Sequence, residues 1–176
     1  MLKLKVLALS VNNLTDARYF AAYMVDWIGF NVNPASANYV NPENLAEILG
    51  WVEGPRYILQ GVEWNEESPK LIQAAESKIE AVMLEKESAQ FKDLLVFSHR
   101  KDRLGDMNVF EDLDSFNNSG LDPEYAFISY RGEVSLVRQL MALPNPPGLC
   151  LSGGDEQAVG LKAFDELDEV FDLLYD

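Results

Sequence analysis

Cysteine and histidine are almost missing from this sequence: Cys150 and His99 are the only ones in 176 residues. A single thiol excludes an intrachain disulfide framework and a cysteine-cluster zinc site. A single imidazole excludes a histidine-rich metal centre, and no cofactor is expected. Basic side chains are scarce. Fourteen Lys and Arg stand against twenty-nine Asp and Glu, a net charge of −15. Nucleic acid is therefore not an expected partner, because phosphate backbones need a basic face, and neither is an anionic membrane surface. No run approaches the ~18 apolar residues of a membrane span. At the start, Leu2, Leu4 and Val6 alternate with Lys3 and Lys5, which reads as a strand rather than a signal peptide. A cytoplasmic location is expected.

What is present is ordinary for a folded protein. The chain is 48% hydrophobic and 24% charged, and its length fits one domain, residues 1–176, with a core of its own. Short apolar runs alternate with helical stripes. Strands are expected at Leu4–Leu9, Trp27–Val32, Tyr57–Val62, Ala81–Leu84 and Leu94–Phe97. Asn41-Pro42-Glu43 is a helix start: a cap residue, a proline at the first helical position, then an acid facing the helix dipole. Ser68-Pro69 repeats the pattern. Only about ten residues separate Leu84 from Leu94, short for a parallel crossover of ~10–12 residues including its helix, so the fourth helix is expected to be short or missing.

In the second half, Val109, Phe110, Leu113 and Phe116 are spaced as a helix. Tyr125–Ser129 reads as a sixth strand and Leu149–Leu151 as a seventh, ending in Ser152-Gly153-Gly154. A short helix through Ala158, Leu161 and Phe164 is expected next. Glu169–Asp176 reads as an eighth strand, with no eighth helix after it. Eight strands alternating with helices imply a parallel α/β architecture. Periodicity alone leaves two versions open, a closed (β/α)8 barrel and an open doubly wound sheet.

The residues carry a resemblance that separates the two. Lys5-Val6-Leu7-Ala8-Leu9-Ser10, followed by Asn13-Leu14-Thr15-Asp16-Ala17, is similar to the first strand and helix start of the phosphoribosylanthranilate isomerase family. Val25-Asp26-Trp27-Ile28-Gly29-Phe30-Asn31-Val32-Asn33-Pro34, continuing to Tyr39-Val40-Asn41-Pro42, resembles that family's second strand and loop without a gap. Gly61-Val62 resembles its third strand, and Leu151-Ser152-Gly153-Gly154 its phosphate loop. From Glu85 to Pro147 the likeness is one of rhythm only. The resemblance implies a single (β/α)8 TIM barrel, reduced in its helices.

It also implies a chemistry that this sequence lacks. Members of the family open a phosphoribosyl ring and move a proton in an Amadori rearrangement, an internal redox isomerisation in tryptophan biosynthesis. This takes a general base and a general acid. The base, a first-strand cysteine, falls at Leu7. The acid, at the end of the sixth strand, falls at about Ser129, followed by Tyr130 and Arg131. The loop arginine that meets substrate falls at Asn38, and the fourth-strand histidine at Glu85. A second phosphate loop, expected after the eighth strand, has no counterpart beyond Tyr175-Asp176. The expectation is a pseudoenzyme barrel that binds a phosphorylated or other anionic small molecule through Ser152, Gly153, Gly154, Asn38, Arg131 and His99. The alternative is an active isomerase, or another sugar-phosphate enzyme, using substitute residues; Glu63 with Glu85 is one such acid–base pair. Catalytic residues of such barrels sit at the C-terminal strand ends. Cys150, between two leucines, reads as core. Leu7 is expected inside the barrel. Strands left bare by the missing fourth and eighth helices are expected to drive a homodimer.

Overall fold

A computed structural model of the chain describes residues 1–62, 78–84, 94–99, 105–153 and 164–175. Eight parallel strands close into one barrel in the order β1 to β8. They are β1 (Val6–Leu9), β2 (Trp27–Asn31), β3 (Arg56–Val62), β4 (Ile79–Leu84), β5 (Leu95–Ser98), β6 (Met107–Phe110), β7 (Ala126–Ser129) and β8 (Gly148–Ser152). Closure is made by β8 against β1, with Leu7 beside Cys150 and Leu9 beside Ser152. The described helices are α1 (Leu14–Ala22), α2 (Pro42–Trp51), α3 (Leu113–Asn117), α4 (Val134–Met141) and α5 (Asp165–Tyr175).

Alternation along each strand sorts the side chains into two layers. One set fills the barrel: Leu7 and Leu9, Trp27, Ile58, Ala81 and Met83, Phe97, Val109, Phe127 and Cys150. The other packs beneath the helices, with Val6, Ala8, Ile28, Phe30, Leu59 and Ile128 meeting Phe20, Leu45, Ile48, Val137, Leu140 and Phe171. Leu7 is fully buried in the first set, as its register required. Gly29 makes room inside the barrel: a Cβ there would lie 2.7 Å from Leu9 Cδ2.

Helix starts follow the cap chemistry of the sequence. Asn13 Oδ1 accepts the Asp16 N–H at 2.9 Å, and Asn41 Oδ1 accepts that of Asn44 at 2.8 Å ahead of Pro42. At the opposite end of the barrel, the Arg56 guanidinium stacks 3.9 Å from the Trp27 ring and Lys5 lies over Phe127. These cations close the N-terminal end of the barrel.

The second half needs renumbering. Met107–Phe110 is the sixth strand, not the start of a helix; Val109 faces inward between Asn108 and Phe110, and α3 starts only at Leu113, capped by Asp112. The strand expected as sixth is therefore β7, and the one expected as seventh is β8. Glu169–Asp176 is not a strand. Leu167, Val170, Phe171 and Leu174 recur at i, i+3, i+4 and i+7 and form the buried stripe of α5, which follows β8. The barrel thus has its eighth helix. It is held by paired tyrosines: Tyr19 and Tyr23 both donate to Asp168, at 2.7 and 3.1 Å, and Tyr23 stacks on Phe171 with centroids 4.0 Å apart. The bare eighth strand that motivated a homodimer is covered. The expected third helix, the short or missing fourth helix and the helix through Ala158 and Leu161 lie outside the described residues.

Candidate functional site

In a barrel of this kind the C-terminal strand ends face one mouth. Around it the structure brings Ser10, Asn31, Gln60, His99, Glu111, Ser129, Arg131 and Ser152. Glu63, Glu85 and Gly154 lie outside the described residues.

The four residues of β1 itself, Val6–Leu9, carry no proton acceptor in their side chains. Leu7 is packed among apolar side chains with no exposure. Beside it in register, Cys150 is buried, and burial pushes its thiol up to about 12. Such a thiol is neutral at physiological pH and serves as core, as its flanking leucines implied.

The β1–β3 sector is built from carboxamides. Asn38 lies in the loop after β2, where Asn12 Nδ2 donates to its Oδ1 at 3.3 Å. It therefore ties the β1 loop to the β2 loop with a neutral contact. Asn33 N–H donates to Asn31 Oδ1 at 3.0 Å, and Ser10 N–H to Gln60 Oε1 at 2.7 Å. Ser10 itself holds a left-handed φ of 57°. Gln60 is the residue sequence reasoning missed here. Its signal was a polar side chain at an inward position, two residues after Ile58.

The sixth strand changes the acid question. Ser129 ends β7, not β6. The residues that follow β6 are Glu111 and Asp112, and the inward parity of Met107 and Val109 carries Glu111 toward the mouth. A carboxylate thus stands at the sixth-strand end, where Ser129 had been set. Asp112 is used as a helix cap, accepting the Ser115 N–H at 2.6 Å. Glu111 acts on His99 across the β5–β6 edge: desolvation lowers the exposed imidazole's pKa and the Glu111 carboxylate raises it, the lowering prevailing. Glu111, Asp112, Ser129, Arg131 and Glu133 line a cleft of about 180 Å³ between the β6 and β7 ends and α4. Arg131 thus stands among three carboxylates.

The Ser152-Gly153 turn follows β8, so it occupies the place of the loop thought to be missing beyond Tyr175. Its backbone is committed to the barrel. Gly153 N–H donates to the Leu9 carbonyl at 2.8 Å, so it is not aimed at a ligand. Gly153 is small because β1 passes close: a Cβ would meet the Ser10 carbonyl oxygen at 3.0 Å and the Asp16 carboxylate at 3.4 Å. Asp16 is fully buried there. Among the described residues, no group of three or more His, Cys, Asp or Glu is gathered as a metal site, and no helix is long and apolar enough to cross a membrane.

No protein-family model and no curated protein matches the chain. Solved structures do. Phosphoribosyl anthranilate isomerase from Thermus thermophilus superposes with a TM-score of 0.74 at 17% identity, covering 97% of this chain and 98% of that one. The chain has the fold of phosphoribosylanthranilate isomerase. The enzyme from Pyrococcus furiosus gives a TM-score of 0.72 at 13% identity, covering 98% of both chains. An isomerase in complex with reduced 1-(o-carboxyphenylamino)-1-deoxyribulose 5-phosphate gives 0.67 at 18% identity, covering 96% of both. Identities this low establish the isomerase fold and leave activity to the residues at the mouth.

Proposed function

We propose that this barrel binds a small molecule at its C-terminal mouth and does not isomerise phosphoribosylanthranilate. The observation that carries the reading is Leu7: fully buried and apolar at the position where the resemblance puts the general base. Loss of a general base or acid costs ~10²–10⁴ in rate. Asn38 in place of the loop arginine and the tied Gly153 N–H support the same reading, since both remove contacts to a phosphorylated substrate. The ligand-bound relative holds a 5-phosphate compound; here Arg131 is, among the described residues, the only Lys or Arg at the C-terminal strand ends, and three carboxylates share its cleft.

A second reading has one observation in its favour. Glu111 supplies a carboxylate at the sixth-strand end, so of the two proton-transfer groups an active enzyme would need a substitute only for the base. Turnover of phosphoribosylanthranilate by the purified protein tests both. No conversion above the solution rate supports a binding barrel; saturable conversion supports the enzyme.

A further inference from the structure

Gln60 is a neutral polar side chain enclosed at the mouth, with 7% of its surface exposed. It leans across β2 at the point where Gly29 has no side chain; a Cβ there would lie 3.0 Å from Gln60 Oε1. The Ser10 N–H donates to that oxygen at 2.7 Å. A backbone N–H can only donate, so the contacted atom must be the amide oxygen, and the NH₂ is turned the other way. Among the described residues Nε2 has no acceptor, and it is not sealed from solvent.

Asn31 repeats the arrangement on the neighbouring strand. It is the register partner of Gln60. Its Oδ1 takes the Asn33 N–H at 3.0 Å, which fixes its NH₂ in the same manner. Gly61, at a left-handed φ of 67°, leaves space for it: a Cβ there would lie 2.9 Å from Asn31 Oδ1. Two amide side chains with committed oxygens therefore stand side by side on adjacent strands, whose backbones run about 4.8 Å apart. One planar group with two acceptor oxygens offers a partner to each NH₂.

The donors are neutral. Doubly charged phosphate is ordinarily held by Arg, Lys or several backbone N–H groups. Arg131 lies just beyond the end of β7, across the barrel from β2 and β3, and the chain's −15 charge opposes a dianion more than a monoanion. We infer that Gln60 and Asn31 form a subsite for the carboxylate of a small organic acid, in preference to a phosphate group. This rests on the mouth being the ligand site and specifies what that site takes.

The test is a titration of the whole ¹⁵N-labelled protein with acetate and, separately, inorganic phosphate at matched ionic strength, following the side-chain NH₂ signals of Gln60 and Asn31. Acetate is expected to shift both saturably, with an apparent Kd at least about tenfold below that of phosphate. Gln60→Glu keeps an acceptor for the Ser10 N–H, so the strut survives, but replaces the donor with a second oxygen; the acetate response is expected to vanish while the remaining spectrum stays folded. An equal or stronger phosphate response at these amides overturns the carboxylate assignment and leaves the mouth as a ligand site. A retained acetate response in Gln60→Glu, or silence toward acetate in the wild type, overturns it too. None of these outcomes depends on whether phosphoribosylanthranilate is turned over.

Discussion

Leu7 and Cys150 face one another across the seam that closes the barrel, and together they define what the interior can do. The thiol is sealed and its pKa is pushed up to about 12, so an aromatic disulfide reagent at pH 8 is expected to leave it unmodified until the protein is denatured. Rapid stoichiometric labelling of the native protein would show that the interior opens. His99 is the complementary case at the rim. Its pKa lies below the ordinary 6.5 because desolvation outweighs the pull of Glu111. A base whose folded pKa is depressed binds its proton more readily when unfolded, so stability falls as pH drops through 6.5 toward the folded value. The imidazole signals are expected to titrate with a midpoint below 6.5, and Glu111→Gln to lower that midpoint further by removing the raising charge. A midpoint that rises in the variant would contradict this electrostatic influence of Glu111.

At the scale of elements, close approaches between strands are made by glycines without side chains. Gly148 opens β8 where the Phe127 ring crosses it: an added Cβ would lie 2.4 Å from Cδ1 of that ring and 3.0 Å from the Lys5 carbonyl oxygen. Gly148→Ala is expected to cost about 1–3 kcal/mol in denaturant unfolding, the usual penalty of overpacking; a neutral result would mean that Phe127 moves aside freely. The first three strands and two helices were legible because their signals are independent: alternation in Val6–Leu9, Asn caps, Pro42, and Gly29 between large neighbours. The second half misled where one pattern fitted two periods. Val109, Phe110, Leu113 and Phe116 are spaced as a helix, yet the first two belong to a four-residue strand and the last two to the helix after it. Leu167, Val170, Phe171 and Leu174 carry a helical stripe that a search for one more strand passed over. The site inherited both slips. Glu111 was hidden inside an expected helix, and the Ser152-Gly153 turn was credited to a strand one place too early.

For the whole molecule, eight strands and a closing helix complete a barrel whose fold is that of the isomerase, while its mouth holds neutral amides on one side and Arg131 among carboxylates on the other. The central claim is that this barrel does not isomerise, because no group at the β1 position can accept a proton. The most direct measurement is turnover of phosphoribosylanthranilate by the wild type and by Leu7→Cys. A cysteine at position 7 would sit beside Cys150 in the same apolar layer, and burial would raise its thiol as it raises that neighbour's. Neither protein is therefore expected to convert the substrate above the solution rate. Turnover by the wild type would contradict the claim outright, and turnover by Leu7→Cys alone would show that Glu111 is a competent acid and that the missing base was the only defect.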